Sequence, residues 1–432
     1  MRFRQLAPIF ILAAARSTVA CSGGCPTLEA CDIRDASCQE HTREVLACLR
    51  GGDTASVSVE VVDAQAFVES RVQESTAEPE TPGERDLRRA LAIFELLPAS
   101  DEAGQSVRDY WSRIAAFYSS DTHGITVLDW GRPLDGPLYA GLLLHEMVHA
   151  MQRADSGLDD EQHYSSYDEA LAFRGMIEGE ATLYQDLSIL EGYGRDTEAT
   201  DFSGIFGQFR EREWRRARGD GSPYEFARLR FSYSFGGGYV NQAWRAGNNG
   251  AVRDLFADPP QSSRQILAGY GAVALREDPN DVGKPVLSGE FEHVATLHLG
   301  TWLFEIYRDL FSTGPGFSRG FSDSGFAGDV LTVFRQPASG AVVAFWRQRF
   351  GNADQAAAVN ASLRSDPFLI TLLDGRDLIV AGDTGQAPTA AFVEALAWEA
   401  ATPEDWQEAP PAASGPNHNG LVACPLAEAH EQ

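Results

Sequence analysis

Residues 142–152 of the chain read LLLHEMVHAMQ. The apolar residues around the two histidines are typical of a buried helix, and we predict one from about Leu138 to Ala154. On a helix, His145 and His149 are four residues apart, so their imidazoles project from the same face, one turn above the other. Glu146 lies about 100° around the helix from His145.

Two imidazoles in this arrangement can bind one tetrahedral cation, and the H-E-x-x-H pattern is typical of a zinc site. Glu146 can then reach a metal-bound water without binding the metal itself. The alternative is a pair of structural histidines on a buried helix. The chain has only nine histidines, so a chance match to the pattern is rare and the sequence favours zinc.

A catalytic zinc usually has three protein ligands and one open position. Gln152 and Asp155 stand where a glycine and a third histidine would follow in the three-histidine subtype, which excludes that subtype. Downstream, residues 177–181 read IEGEA within a predicted helix from about Asp168 to Ile189. We expect this helix to pack antiparallel to the first and to bring Glu178 to the metal.

The segments H-E-x-x-H at 145–149 and E-G-x-A at 178–181 together resemble the gluzincin metallopeptidases, meaning thermolysin-like proteases and zinc aminopeptidases. The resemblance implies Zn as cofactor, bound by His145, His149 and Glu178, and a peptide or protein substrate. It also implies an α+β, mostly helical fold, in which a zincin-like core has a small antiparallel sheet and a two-helix zinc site.

The wider resemblance, from about Tyr118 to Phe334, is to exported bacterial proteins of gluzincin type. It includes the segment FSY at 231–233 before a glycine-rich turn. Zinc chemistry makes Glu146 the expected general base toward a zinc-activated water, and in gluzincins a downstream Tyr or His is the donor to the oxyanion. Tyr233 is the first choice and Tyr239 the second, although either can be an ordinary half-buried aromatic. Three histidines are further alternatives: His163, His293 and His298.

Other residues near the predicted site have supporting roles by the same resemblance. Glu180 supports a ligand or contacts substrate. Asp168 and Glu169 are candidates to orient a ligand imidazole through its second nitrogen. The predicted strand from Gly124 to Leu128 is expected to offer its edge to an extended peptide. Two stretches are expected to mark the fold only: 259–267 and 325–329.

The N-terminus has the pattern of an export signal, because basic residues and the apolar run Leu6–Ala15 lead to small residues before Cys21. The run is too short to span a bilayer. Residues 18–21 resemble a bacterial lipoprotein signal, so a membrane tether through lipidated Cys21 and an unmodified Cys21 both stay open. We expect the chain to be exported: secreted, periplasmic or lipid-anchored at the cell envelope.

The six cysteines are Cys21, Cys25, Cys31, Cys38, Cys48 and Cys424. Such clustering in an exported chain predicts disulfides, whereas a metal cluster would favour a C-x-x-C pair that is absent from the sequence. One possible arrangement joins Cys424 to the N-terminal group and clamps the chain ends together.

Four segments are predicted: a signal peptide at 1–20, a cysteine-rich segment at 21–55, a gluzincin-like domain at 56–350, and a hairpin with a loose tail at 351–432. Local patterns predict a surface loop at 69–86, a helix interrupted by glycines 236–238, a helix at 292–311 and a hairpin turn at 374–375.

A formal net charge of −27 excludes nucleic acid as a partner, because phosphate binding needs clustered cations. The leading hypothesis is an exported zinc-dependent peptidase. The alternatives are a non-catalytic zinc-binding lipoprotein and a zinc hydrolase of a non-peptide amide. Glu146 favours catalysis over the first alternative, because a purely structural zinc site does not require it.

Overall fold

The computed structural model shows a mixed α+β protein with small sheets. It describes residues 24–52, 56–77, 80–97, 104–157, 164, 166–219, 230–272, 282–287, 289–311, 325–363, 369–385, 388–400 and 421–425. The predicted signal peptide and Cys21 lie outside the described residues. Among the described helices, none is both long and apolar enough to cross a membrane.

The cysteine-rich segment folds around helix α1, Ala36–Arg50, and is closed by two disulfides. Cys25 is bonded to Cys48, and Cys31 is bonded to Cys38. These four cysteines pair among themselves, which leaves Cys21 as the N-terminal partner for the predicted clamp to Cys424, and Cys21 lies outside the described residues. The disulfides agree with the prediction of bridges in an oxidising environment.

The first sheet has the strand order β1-β3-β2-β11. Its strands are β1 Ser58–Asp63, β2 Ile114–Ser119, β3 Gly124–Asp129 and β11 Leu421–Pro425. β1 and β3 are parallel, and the other two pairs are antiparallel. The strand predicted near residue 124 is present. However, β3 is paired on both edges, so the prediction that it offers an edge to a peptide is wrong.

Two long helices pack on each other beside this sheet. α5, Pro137–Ser156, begins with proline at its first turn and ends at Gly157, whose φ of 65° needs the left-handed region. α6, Tyr167–Gly192, begins at Ser166, whose hydroxyl accepts a hydrogen bond from the amide of Glu169. The central turns of both helices are buried all round, so each helix is a core element.

The second sheet is antiparallel, with the order β5-β6-β7-β9-β8. Its strands are β5 Glu292–Leu297, β6 Phe326–Gln336, β7 Ala341–Phe350, β8 Leu369–Asp374 and β9 Asp377–Asp383. The hairpin predicted at residues 374–375 joins β8 to β9. β4, Lys284–Val286, pairs separately with β10, Ala397–Glu399.

The remaining helices cover these sheets or follow α6. They are α2 Ala64–Ala77, α3 Pro82–Ile93, α4 Gln105–Trp111, α7 Phe202–Gly219, α8 Gly237–Ala257, α9 Ser263–Ala268, α10 Gly300–Phe311, α11 Ala353–Ser362 and α12 Ala390–Glu394. The start of α6 belongs to the core beneath the second sheet, and its later turns belong to the core around α5. α6 therefore links the two cores.

Three local predictions need correction. Residues 69–86 are mainly helical, because a capping box between Thr81 and Glu84 starts α3 and Pro82 suits its first turn. Residues 292–311 are strand β5 followed by α10, which starts at Gly300 with a φ of 79°. The glycines at 236–238 do not interrupt a helix: a π-helical turn, Ser232–Gly236, continues directly into α8.

The Asp329 carboxylate ties β6 to the start of α10. It accepts hydrogen bonds of 2.6–3.2 Å from four donors: the His298 ring, the Leu299 and Gly300 amides, and the Trp346 indole. Asp168 of α6 joins this cluster, because it accepts from the amide of Ser263 and lies 3.8 Å from the His298 ring. The stretches 259–267 and 325–329 thus supply a buried polar junction of the fold.

We expect Asp329→Asn to lower the free energy of unfolding by about 3 kcal/mol, because its new amide group would face two of the four donors in either orientation. Urea unfolding measures the change. Asp374→Asn is the control: this carboxylate is 63% exposed and contacts Arg347, so its loss should cost less than about 1 kcal/mol. Equal unfolding midpoints for the two variants would contradict this account of the junction.

Candidate metal centre

Helices α5 and α6 bring the three predicted ligands together. His145 Nε2 lies 3.1 Å from Glu178 Oε2, and His149 Nε2 lies 3.5 Å from the same oxygen. One ligand atom from each residue lies within 4.8 Å of the other two. All three side chains are buried. The group is therefore close enough to hold a metal ion, as the two-helix prediction required.

The spacing of these atoms suits a tetrahedral metal. With metal–ligand bonds of about 2.0–2.2 Å, neighbouring ligand atoms in a tetrahedral site are about 3.3 Å apart. The two distances to Glu178, 3.1 and 3.5 Å, lie on either side of that value. Two imidazoles and one carboxylate are also a ligand set that zinc commonly takes.

Polar atoms of the group are buried without a hydrogen-bond partner. Among the described residues, His149 Nε2 and Glu178 Oε1 are in this state. Leaving such atoms unpaired is costly in a protein interior. A cation between the helices would satisfy the ligand atoms and would offset the negative charge of Glu178.

The second nitrogen of each imidazole faces a glutamine. His149 Nδ1 is 2.8 Å from Gln152 Oε1, and His145 Nδ1 is 3.1 Å from Gln185 Oε1. The Gln152 amide nitrogen donates to two acceptors, the Ile177 carbonyl and Glu180, so its oxygen must be the atom that faces His149. His149 Nδ1 therefore carries the proton, and Nε2 keeps a lone pair for a metal.

Burial shifts the pKa values of ionisable groups around the candidate centre. Burial lowers the pKa of His145, which favours the neutral ring that a metal needs. Burial and the negative charge of Glu178 raise the pKa of Glu146 well above its usual range. Arg174 Nη2 lies 3.8 Å from Glu178 Oε1, one helical turn away on α6, and is a cation that sequence reasoning missed.

Asp168 and Glu169 do not orient a ligand imidazole. Asp168 belongs to the Asp329 junction, and the second nitrogens of both imidazoles face glutamines instead. The residues that do face the second nitrogens, Gln152 and Gln185, were not predicted from the sequence. A signal was available, since Gln152 is three residues after His149 and Gln185 is seven residues after Glu178, and both spacings keep residues on one helical face.

Tyr233 lies beside the candidate ligands, whereas Tyr239 packs against another tyrosine. The Tyr233 ring stacks on His145 with 6.1 Å between ring centroids and 28° between planes. Tyr239 is half-buried and packs edge-on against Tyr270 at 6.0 Å. Of the two predicted oxyanion donors, only Tyr233 has a described ring contact with a ligand.

Glycines allow Tyr233 to lie so close. A Cβ on Gly236 would overlap the backbone of Gly175, and a Cβ on Gly179 would overlap the backbone of Gly236. The π-helical turn therefore meets α6 backbone to backbone, at the glycine that follows Glu178. This contact explains why a glycine is needed in the E-G-x-A segment.

The alternative histidines have other roles or lie outside the described residues. His298 contacts Asp329 in the polar junction, and His293 Nε2 is 2.8 Å from the Thr296 hydroxyl. His163 lies outside the described residues.

Comparisons of the chain with protein-family models, curated proteins and solved structures found no match. Function is therefore inferred from the geometry and chemistry of the site.

We expect Glu178→Ala to weaken zinc binding by more than about 100-fold, because loss of a group that only supports a ligand already costs about 10–100-fold. Competition with a chromophoric chelator measures the dissociation constant. Glu169→Ala, an acidic residue of the same helix outside the group, should bind zinc as the wild type does. Full zinc affinity in Glu178→Ala would exclude Glu178 as a ligand.

Proposed function

We propose that the protein is an exported zinc-dependent peptidase of the gluzincin type, with His145, His149 and Glu178 as zinc ligands. The observation that carries the proposal is the pairing of a three-residue candidate ligand group with a fully buried Glu146 on the helix that carries both histidines. Structural zinc sites usually have four protein ligands, whereas catalytic sites have three and an open position. The described residues supply three.

The architecture supports the same proposal. Helix α5 carries both histidines, packs beside the mixed sheet and meets antiparallel α6 at the third ligand. This arrangement fits the zincin-like core that the sequence resemblance implies. The cysteine-rich segment, with its two disulfides, supports export, and a lipid tether through Cys21 remains part of the proposal.

Bound zinc would lower the pKa of a water molecule and polarise a substrate carbonyl. The residues of the chain supply the remaining chemistry. Glu146 accepts the proton from the attacking water and returns it to the leaving amine, and its burial favours the first of these two transfers because the protonated form is stabilised. Tyr233, against the His145 ring, is the proposed donor to the oxyanion.

A non-catalytic zinc-binding role is the second candidate, and one observation favours it. His145, Glu146 and Glu178 have no exposed surface, as expected of a closed structural site. Hydrolysis of a non-peptide amide uses the same residues, so a mixed substrate panel is needed to distinguish it from peptide cleavage.

We expect Glu146→Gln to reduce cleavage of casein and of a quenched-fluorescence peptide library by about 10³-fold, because the amide cannot accept the proton. Zinc content should stay at the wild-type level, since Glu146 is not a ligand. Glu305→Gln changes a buried glutamate of α10 outside the site and is the matched control. Full zinc occupancy with no cleavage by either the wild type or Glu146→Gln would support the non-catalytic role.

We expect Tyr233→Phe to lower kcat by about 10²-fold with little change in KM, because the lost hydroxyl acts on the transition state. Tyr239→Phe should keep wild-type kinetics. Steady-state kinetics on a cleavable peptide compare the two variants. If Tyr239→Phe were the impaired variant, the oxyanion donor would have to be reassigned.

A further inference from the structure

We propose that Arg50, at the end of the disulfide-bonded helix α1, is a positioning residue for His149 and acts through Glu180 and Gln152. The inference rests on the proposed metal site. On this proposal, the cysteine-rich N-terminal segment contributes a positioning residue to that site and is neither only a tether nor a removable propeptide.

The contacts form one continuous chain from α1 to the ligand. Arg50 Nε donates to Glu180 Oε1 at 2.9 Å, and Glu180 Oε2 accepts from Gln152 Nε2 at 2.8 Å. Gln152 Oε1 then accepts from His149 Nδ1 at 2.8 Å. Each of these four residues is at least 96% buried, so water does not substitute for any link.

The direction of these hydrogen bonds decides which nitrogen of the His149 imidazole carries no proton and can bind a metal. If the Gln152 amide turned over, its NH₂ group would face His149 Nδ1, and the ring proton would move to Nε2. That tautomer offers no lone pair to a metal. Glu180 and the Ile177 carbonyl, both acceptors, hold the NH₂ group on their side.

Arg50 makes a buried carboxylate at Glu180 energetically tolerable. A buried carboxylate without a cation is strongly unfavourable, whereas a hydrogen-bonded ion pair is tolerated. Arg50 pairs with Glu180 and also with Asp155, near the end of α5. Its guanidinium thus neutralises the acceptor that orients Gln152.

The position of Arg50 is fixed by contacts on both sides. Cys48, two residues earlier, is bonded to Cys25. The side chain of Asn249 donates to the Leu49 and Arg50 carbonyls, at 2.7 and 2.8 Å, and so holds the end of α1. The guanidinium therefore projects from an anchored helix end.

The test measures zinc dissociation constants of the full chain by chelator competition. We expect Arg50→Met to weaken zinc binding by about 10-fold or more, in the range found for groups that orient metal ligands. Arg50→Lys should recover most of the affinity, because an ammonium group can still pair with Glu180. Wild-type affinity in Arg50→Met would overturn the proposal.

A double-mutant cycle separates positioning from general destabilisation. Gln152→Leu should weaken zinc binding by itself, and adding Arg50→Met to it should cause little further loss, since the chain of contacts is already broken. Losses that simply multiply would overturn the proposal. Arg347→Met, which breaks another buried pair with Asp377 in the second sheet, should lower the melting temperature without changing zinc affinity.

The outcomes also separate this proposal from the proposed function. A wild type that binds no zinc would overturn both, whereas a wild type that binds zinc but cleaves nothing leaves the affinity test intact. If Arg50→Met does not fold, Glu180→Gln tests the same chain, because its amide would present a donor to Gln152 or to Arg50. Unchanged zinc affinity in Glu180→Gln would then overturn the proposal.

Discussion

The structure depends on one electrostatic constraint between two helices. Where α5 meets α6, the Nε2 atoms of two imidazoles face one oxygen of the Glu178 carboxylate, and a second carboxylate, Glu146, is buried next to them. Burying two carboxylates this close together is unfavourable unless a cation or protons offset their charge. The distances between the candidate ligand atoms suit a tetrahedral metal.

Close backbone contact on α6 makes this arrangement possible. With a side chain at Gly179 of α6 or at Gly236 of the π-helical turn, the two backbones could not approach this closely, and Tyr233 would be held away from the histidines. The same helix begins in the Asp329 junction under the second sheet. α6 therefore connects the candidate metal centre to a polar core that fixes its first turn.

Local spacing in the sequence was sufficient to predict that His145, His149 and Glu178 come together, because both motifs lie on regular helices where position determines direction. The same reasoning could have predicted the contact of Gln152 with His149. It could not have predicted Arg50, because Arg50 and its partner Glu180 are 130 residues apart in the sequence. Asp168 was assigned wrongly for the same reason: its partners come from α9 and the start of α10, and no spacing along α6 reveals them.

The number of donors distinguishes a metal that only stabilises the fold from one that does chemistry. A fourth protein ligand would close the coordination sphere, whereas the candidate metal-binding group of the described residues contains three members, and Glu146 is not one of them. Burying the Glu146 carboxylate costs folding free energy. Fold stability alone gives no reason for this cost, whereas the proposed role of Glu146 as a proton acceptor beside an open metal position would.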